Sequence, residues 1–256
     1  MITIDLNSDL GESFGPWTMG DDAAMLALVT SANVACGGHA SDPDTMFATL
    51  SEAKVRGVTI GAHPGYSDKE GFGRRVIPMT EAEIERLIAA QVGALMGVAA
   101  LAGTQVRYVK PHGALGNLAA DNKGVAASIA RAVQAVSRDL ALLAISGSEL
   151  EAAGRDVGLA VYSEIFADRA YLTTGRLVPR GRPGAMIEDS SAASDRLLAL
   201  LETGLMPTLD GASIRLEAHS ICVHGDSHGA VAMARTIRER LAASDVSLRP
   251  FIASSP

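Results

Sequence analysis

The sequence predicts an α/β fold, an irregular (β/α) barrel of about seven parallel strands, from two observations along its 256 residues. Short apolar runs alternate with helical patterns at a period of roughly 25 to 45 residues, which is typical of βα units. Several apolar runs also end on His, Lys or an acid beside Gly, and they are spread over the whole chain. This spread favours a barrel, because an open doubly wound sheet concentrates its ligands at one switch point.

The strands are predicted from apolar or alternating runs. They span 2–6, 31–35, 58–62, 106–109, 140–145, 159–162 and 219–223, with a closing edge strand at 248–252. A polar loop over 7–12 is expected to follow the first strand. Because no linker or break in composition divides the chain, residues 1–256 are expected to form a single domain.

Helices are predicted between these strands, chiefly from capping patterns. Asp42 before Pro43 is a strong helix start, and Thr80 with Glu83 forms a capping box. The predicted helices span 23–29, 43–56, 81–102, 122–137 with Asp121 as its cap, 148–154 with a second capping box, 190–203 and 228–243. Segment 164–188 is rich in Gly, Pro and Arg, and such long loops are usually functional lids or disordered.

Composition argues against several classes of function. The net charge is −7 without a block of like charges, so neither nucleic acid nor an anionic membrane surface is expected as a partner. The first strand begins at Ile2, which leaves no room for a signal peptide, and no run of about 18 apolar residues predicts a membrane span. The distant Cys36 and Cys222 are expected to be buried free thiols, with a cytoplasmic location as the default.

Four of the six histidines closely follow apolar runs. These are His39, His63, His112 and His224. A single His in such a place is more often structural than catalytic, but four in equivalent positions favour one shared site. His219 and His228 lack this context.

Acidic residues near strand ends add to this candidate site. Asp9 and Glu12 are interpreted as a general acid or base, as metal ligands beside His, or as simple loop caps. Asp9 with His39 and His63 would suit Zn²⁺ or another divalent ion. A partly desolvated Glu164 could have a raised pKa and serve as a base.

Basic residues are candidates for binding an anionic group. Lys110 is predicted to hold a carboxylate or phosphate, or to polarise a carbonyl, and an ion pair with Glu164 or Asp9 is the alternative. Four loop arginines could clamp an anion, although simple solvation is equally expected for any one of them. They are Arg74, Arg75, Arg169 and Arg180. Neither a P-loop nor a nucleophile elbow occurs.

Seven blocks along the chain form a distinctive combination. They are 9–12 (DLGE), 33–40 (NVACGGHA), 61–66 (GAHPGY), 109–115 (VKPHGAL), 164–171 (EIFADRAY), 177–180 (LVPR) and 223–226 (VHGD). In this order the blocks resemble the LamB/YcsF family. That family commonly has Gly after the His39-Ala40 pair, whereas this chain has Ser41, for which a small effect is expected.

The resemblance implies the A subunit of an ATP-dependent 5-oxoprolinase. Such an enzyme opens the lactam of 5-oxo-L-proline to L-glutamate with hydrolysis of ATP, and it needs partner subunits B and C. The resemblance also implies a barrel similar to those of polysaccharide deacetylases, in agreement with the pattern above. The hypothesis assigns catalytic roles to Asp9, Glu12, His39, His63, Lys110, His112 and Glu164. It assigns substrate binding to Asn7, Arg74, Arg169, Arg180, His224 and Asp226.

Two other functions stay open from the sequence. One is a stand-alone metal-dependent amidohydrolase or deacetylase with Asp9, His39 and His63 as metal ligands. The other is a non-catalytic subunit that binds the small-molecule substrate while its partners perform catalysis. The resemblance implies ATP as co-substrate of the complex, but without a P-loop the sequence leaves ATP binding by this chain open.

Overall fold

The structure is a computed structural model that describes residues 2–226 and 229–252. Its strands are β1 (Ile2–Leu10), β2 (Ser31–Ala35), β3 (Thr59–His63), β4 (Val106–Val109), β5 (Ala141–Ile145), β6 (Val161–Phe166), β7 (Leu205–Pro207), β8 (Ser213–Arg215), β9 (Ser220–Cys222) and β10 (Val246–Leu248). Its helices are α1 (Asp22–Leu26), α2 (Pro43–Val55), α3 (Glu81–Leu101), α4 (Gly113–Asp121), α5 (Lys123–Val136), α6 (Glu149–Asp156), α7 (Ser190–Thr203) and α8 (Ala230–Ala243).

The predicted parallel barrel is confirmed. Strands β1 to β6 pair in sequence order, β6 pairs with β9, and β9 pairs back to β1, which closes a seven-stranded barrel. Strand β10 pairs in parallel with the first residues of β1. Because all seven strands run in the same direction, their carboxyl ends meet at one end of the barrel.

Two strands are longer than the sequence predicts, and both corrections move site residues into the barrel. Strand β1 extends to Leu10, so the predicted loop over 7–12 is wrong for its first four residues. Strand β6 extends to Phe166, so Glu164 lies within a strand. Asn7 and Asp9 are buried and both accept hydrogen bonds from Asn33. Because polar residues usually indicate a loop, the sequence pattern does not reveal a strand whose polar side chains hydrogen-bond to one another inside the barrel.

Helix α3 forms as its capping box predicts, with both reciprocal hydrogen bonds of Thr80 and Glu83 present. Its buried face includes Ile84, Val92 and Leu95. Within the described residues it is the one segment long and apolar enough to cross a membrane by length and composition. The sequence predicts no such segment, but a core helix meets the same criteria.

Several smaller predictions need correction. Helix α4 was not predicted, since it has no side-chain cap and two glycines. Asp121 ends that helix, and the cap of α5 is Asn122. The pair β7–β8 was also missed, and the predicted strand 248–252 is β10 at Val246–Leu248 instead. The predicted start of the last helix at His228 lies outside the described residues.

Segment 164–188 folds against the barrel. Isolated antiparallel bridges join Arg169 to Met186 and Tyr171 to Leu177. A small buried cluster lies beneath them, made of Ala170, Val178 and Ala185. The segment therefore holds its arginines in defined positions at the rim of the barrel.

Candidate active site at the carboxyl ends of the strands

A cavity of about 540 Å³ opens at the carboxyl ends of the barrel strands. Nine of the thirteen predicted site residues line it. They are Asp9, His63, Arg74, Lys110, His112, Glu164, Arg169, Arg180 and His224. Residues separated by more than two hundred positions in sequence thus share one volume.

The other four predicted site residues contact the residues that line the cavity. Asn7 is fully buried and donates a hydrogen bond to Glu164 over 2.9 Å, so it orients that carboxyl group and does not face the cavity. Asp226 accepts a hydrogen bond from Arg74 over 2.5 Å. Glu12 and His39 lie beside His112.

The first group in the site is the lysine cluster, defined as Asp9, Lys110, Glu164 and Cys222. Lys110 Nζ lies 2.9 Å from Asp9 Oδ1, 2.8 Å from Glu164 Oε1 and 3.1 Å from Cys222 Sγ. Burial lowers the pKa of Lys110, but Asp9, Cys222 and Glu164 together raise it well above its usual value. Asn7 Oδ1 is a fourth, longer acceptor at 3.4 Å, so the three N–H donors of the ammonium are all used within the protein.

The two carboxyl groups of the lysine cluster respond differently to burial. Burial raises the pKa of Asp9, but the charges of His63 and Lys110 outweigh it and hold the pKa well below its usual value. Burial raises the pKa of Glu164, and Lys110 offsets this only in part. The raised pKa predicted for Glu164 therefore agrees with the direction found in the structure.

The second group is the histidine cluster, defined as Glu12, His39, His63 and His112. His63 donates through Nδ1 to the Lys110 carbonyl over 2.7 Å, and His112 donates through Nε2 to the Phe72 carbonyl over 2.8 Å. These bonds fix both tautomers, so His63 Nε2 and His112 Nδ1 present lone pairs to each other over 3.0 Å. Two facing lone pairs require a proton or a metal ion between them.

The other two members of the histidine cluster, His39 and Glu12, are also buried and in contact. His39 stacks on His112 with ring centroids 3.6 Å apart, and its Nε2 lies 3.1 Å from Glu12 Oε1. Burial, followed by the charge of His112, lowers the pKa of His39 well below its usual value. Burial, followed by Asp9, raises the pKa of Glu12 well above its usual value. Both shifts favour a single proton held between Glu12 and His39 Nε2, and the buried Nδ1 of His39 has no partner within the described residues.

A glycine-containing turn holds the histidine cluster in place. Phe72 adopts a positive φ of 54°, which points its carbonyl at His112. At Gly73, which also has a positive φ, a Cβ would come within 2.7 Å of His39 Cβ and 2.8 Å of His112 Cδ2. Only glycine permits this approach of the backbone to two imidazole rings.

The histidine cluster has the donor set of a metal site. One ligand atom from each of its four residues lies within 4.8 Å of the others. His63 and His112 each use their second nitrogen on a backbone carbonyl, as metal-bound histidines do. The predicted set of Asp9, His39 and His63 is therefore regrouped. Asp9 lies in a second group with Cys222 and His224, and the Lys110 ammonium already contacts Asp9 and Cys222 there.

Two arginines in the cavity wall interact with the Asp168 carboxylate only at a distance longer than an ion pair. Among the described residues, neither Arg169 nor Arg180 forms an ion pair, whereas Arg74 pairs with Asp226. Arg169 is 5% exposed, and its buried Nε has no partner in the described parts of the chain. Burial, together with the charge of Arg180, lowers the pKa of Arg169 to about 10. Such a pair of guanidinium groups can bind an anion.

Sequence reasoning missed Asp168 and the carbonyl of Phe72. Asp168 accepts hydrogen bonds from His224 at the cavity wall. The criterion that selected Glu164, an acid near a strand end, would also have selected Asp168. A backbone carbonyl leaves no such signal in the sequence.

Comparison with known proteins finds chains similar to this one over nearly its whole length. The A subunit of 5-oxoprolinase from Paracidovorax citrulli is 52% identical, covering 97% of this chain and 99% of that protein. The same subunit from Nitrobacter hamburgensis is 48% identical over 98% of both chains. The crystal structure of a lactam utilization protein from Thermus thermophilus matches with a TM-score of 0.91 and 38% identity, over 97% of this chain and 99% of that one. The family model LamB/YcsF matches residues 4–255, and the chain belongs to the LamB/YcsF family.

Proposed function

We propose that this chain is the A subunit of an ATP-dependent 5-oxoprolinase, which opens the lactam of 5-oxo-L-proline to L-glutamate together with subunits B and C. The observation that carries the proposal is the cavity at the strand ends, where acid–base groups and two arginines without an ion pair among the described residues line one small volume. The names of the relatives give the substrate class. Residues 1–256 act as one domain around this cavity, and two buried free thiols fit a cytoplasmic location.

Arg169 and Arg180 are the proposed anchor for the carboxylate of 5-oxoproline. Both line the cavity, and neither has an ion pair among the described residues. Lys110 takes the alternative role given in the sequence analysis, an ion pair with Asp9 and Glu164, because its three N–H groups are already used. It holds Asp9 and Glu164 in place and keeps their charges compensated.

The proposed site of water activation is the wall formed by His63 and His112. The Nε2 of His63 lies 3.3 Å from Asp9 Oδ2 and 3.0 Å from His112 Nδ1, so a proton taken from water would enter a shared network. Glu164, with its raised pKa, is the second candidate base. If a divalent ion is bound instead, the histidine cluster would use these nitrogens as its ligands, Glu164 would be the remaining base, and the ion would act as a Lewis acid toward the lactam carbonyl.

ATP enters the proposal as a co-substrate of the complex. A lactam is a poor electrophile, and phosphorylation of its carbonyl oxygen would make the carbon open to attack by water. The chain has no P-loop motif, and we assign no residue of it to nucleotide binding.

The test is glutamate formation from 5-oxoproline, measured with this chain alone and with subunits B and C, with and without ATP. We expect activity only in the ATP-containing mixture. His112→Gln should reduce kcat by about 100-fold or more, as loss of a general base does. His219→Gln, a change at a half-exposed histidine outside the cavity, should leave kcat unchanged.

The other outcomes point to the two other functions. Activity of the chain alone without ATP, lost on chelation of metal, would replace the proposal with a metal-dependent amidohydrolase, which the histidine cluster also favours. An active mixture that tolerates both His112→Gln and Glu164→Gln would make this chain a non-catalytic binding subunit.

A further inference from the structure

His224 and Asp168 form a pair at the cavity wall that the roles above leave unused. His224 Nδ1 lies 2.9 Å and 2.8 Å from the two carboxylate oxygens of Asp168. Asp168 is 3% exposed, and burial raises its pKa, but the charges of His224 and Arg180 outweigh this and hold the pKa below its usual value. The carboxylate is therefore ionised and accepts a hydrogen bond from the Nδ1–H of His224.

The orientation of the His224 ring is fixed from two directions. Asp168 holds its Nδ1 edge, and Phe166 stacks on its face with ring centroids 5.6 Å apart and an interplanar angle of 20°. No described residue hydrogen-bonds to the other nitrogen, Nε2. A carboxylate that holds one imidazole nitrogen leaves the second for proton transfer, as in the Asp–His pairs of hydrolases.

The pair lies near Asp9, which also contacts the water-activating wall. One nitrogen of His224 and one oxygen of Asp9 lie within 4.8 Å of each other, and Asp9 Oδ2 is 3.3 Å from His63 Nε2. His224, Asp9 and His63 all line the same cavity. A substrate in this cavity would therefore contact two separate imidazole systems.

Ring opening of a lactam needs two such systems. Water loses a proton as it attacks the carbonyl carbon, and the ring nitrogen must gain a proton as it leaves, because an amide anion is too basic to be expelled. His63 and His112 account for the first transfer in the proposed function, and nothing assigned so far accounts for the second.

We propose that His224 protonates the ring nitrogen of the lactam from Nε2, with Asp168 as the positioning residue; this rests on the proposed function. The water oxygen forms a bond to the carbonyl carbon, and its proton passes to the base at His63 and His112. The carbon–nitrogen bond then breaks, its electron pair stays on nitrogen, and nitrogen takes the Nε2 proton. Solvent returns the proton from the base to His224. Because the carbonyl oxygen carries the phosphoryl group taken from ATP, ring opening leaves a phosphorylated carboxyl group, and a second water releases phosphate from it to give glutamate.

The experiment compares two substrates in the complex of the chain with subunits B and C. One is 5-oxoproline, and the other is its lactone counterpart, in which oxygen replaces the ring nitrogen and leaves without needing full protonation. His224→Gln should lower kcat on the lactam by about 100- to 10,000-fold with KM little changed, and lower it by less than about 10-fold on the lactone. Asp168→Asn should show the same preference, since it stabilises the wrong tautomer.

Wild-type and His219→Gln complexes are the matched controls and should behave alike. If the wild-type complex forms no glutamate from 5-oxoproline, the proposed function fails. If it does, and His224→Gln raises KM without changing kcat, His224 is a substrate anchor and the inference is wrong. Equal losses of kcat on both substrates would also overturn the inference, because they would indicate a structural role.

Discussion

The lysine cluster and the histidine cluster lie at the same end of the barrel and differ in how their charges are satisfied. In the lysine cluster a buried ammonium contacts two carboxylates and a thiol within 3.1 Å. In the histidine cluster two imidazole nitrogens face each other over 3.0 Å with no donor hydrogen fixed between them. The clusters touch where Asp9 Oδ2 lies 3.3 Å from His63 Nε2.

This difference separates a stabilising group from a reactive one. Burying charge is costly unless the partners compensate each other, and the lysine cluster meets that condition. In the histidine cluster, the facing nitrogens are satisfied only when a cation or a shared proton lies between them. That cation or proton can be gained or lost during a reaction. We expect substitutions in the first cluster to act mainly on folding, and substitutions in the second to act mainly on ligand binding and catalysis.

Lys110→Met should give the largest loss of stability. It leaves Asp9 and Glu164 buried without their shared cation, which costs about 3–5 kcal/mol when one partner of a buried pair is removed. Urea unfolding at pH 7 measures the loss. Lys123→Met, at an exposed lysine, is the control and should change stability little. A loss below about 1 kcal/mol, as small as that of a surface ion pair, would show that the lysine cluster is not the stabilising group of the two.

Asp5, unlike Asp9, is a buried carboxyl group with no ion pair among the described residues. It accepts hydrogen bonds from the hydroxyls of Thr30, Ser31 and Ser220, and burial raises its pKa from 3.8 to about 6. Since the folded-state pKa is the higher, its contribution to stability is full below pH 3.8 and is lost as pH rises through about 6. The shift corresponds to a cost of about 3 kcal/mol at neutral pH.

Asp5→Asn should therefore remove this fall in the free energy of unfolding between pH 4 and pH 6. Denaturant melts at several pH values, with wild type and the exposed Asp139→Asn as references, measure it. If Asp5→Asn and wild type keep parallel pH profiles, burial without a cation is not costly here, and the contrast with Asp9 loses its basis.

Metal binding tests whether the histidine cluster, and not the lysine cluster, holds a cation. Co²⁺ should bind in a one-to-one ratio to the histidine cluster, and His39→Ala should weaken binding by about 10- to 100-fold or more. Cys222→Ser, in the lysine cluster, should leave the affinity unchanged. Titration followed by the visible Co²⁺ spectrum measures both. If only Cys222→Ser lowered the Co²⁺ affinity, the ion would be assigned to the group beside Asp9. If the wild type did not bind Co²⁺, a proton would be assigned between the two histidines.

Ser41 should give the smallest effect. It follows the segment that carries His39 and has a φ of 78°, a left-handed conformation that favours glycine. Ser41→Gly should stabilise the protein by about 1 kcal/mol, because the left-handed region is strained for residues with a Cβ. Ser51→Gly in α2 is the matched control and should destabilise by about 0.5–1 kcal/mol. Thermal melts that show the same sign for both would contradict the assignment of strain to Ser41.

Local signals along the chain were enough to predict the barrel, most of its strands and the end at which the site forms. Strand–helix alternation and the capping signals at Asp42 and Thr80 depend on neighbouring residues alone, so they are visible in a linear pattern. The seven blocks of the family also lie at strand ends, which brought nine of thirteen predicted site residues to one cavity.

The roles within that site depend on contacts that form only in the folded chain. Asn7 and Asp9 belong to a strand because partners distant in sequence satisfy them, and Lys110 has no N–H left for substrate because Asp9, Glu164 and Cys222 take all three. The tautomer of His112 depends on one carbonyl of a turn with a positive φ. Hydrogen bonding and charge compensation depend on distances across the barrel, and a linear pattern does not encode those distances.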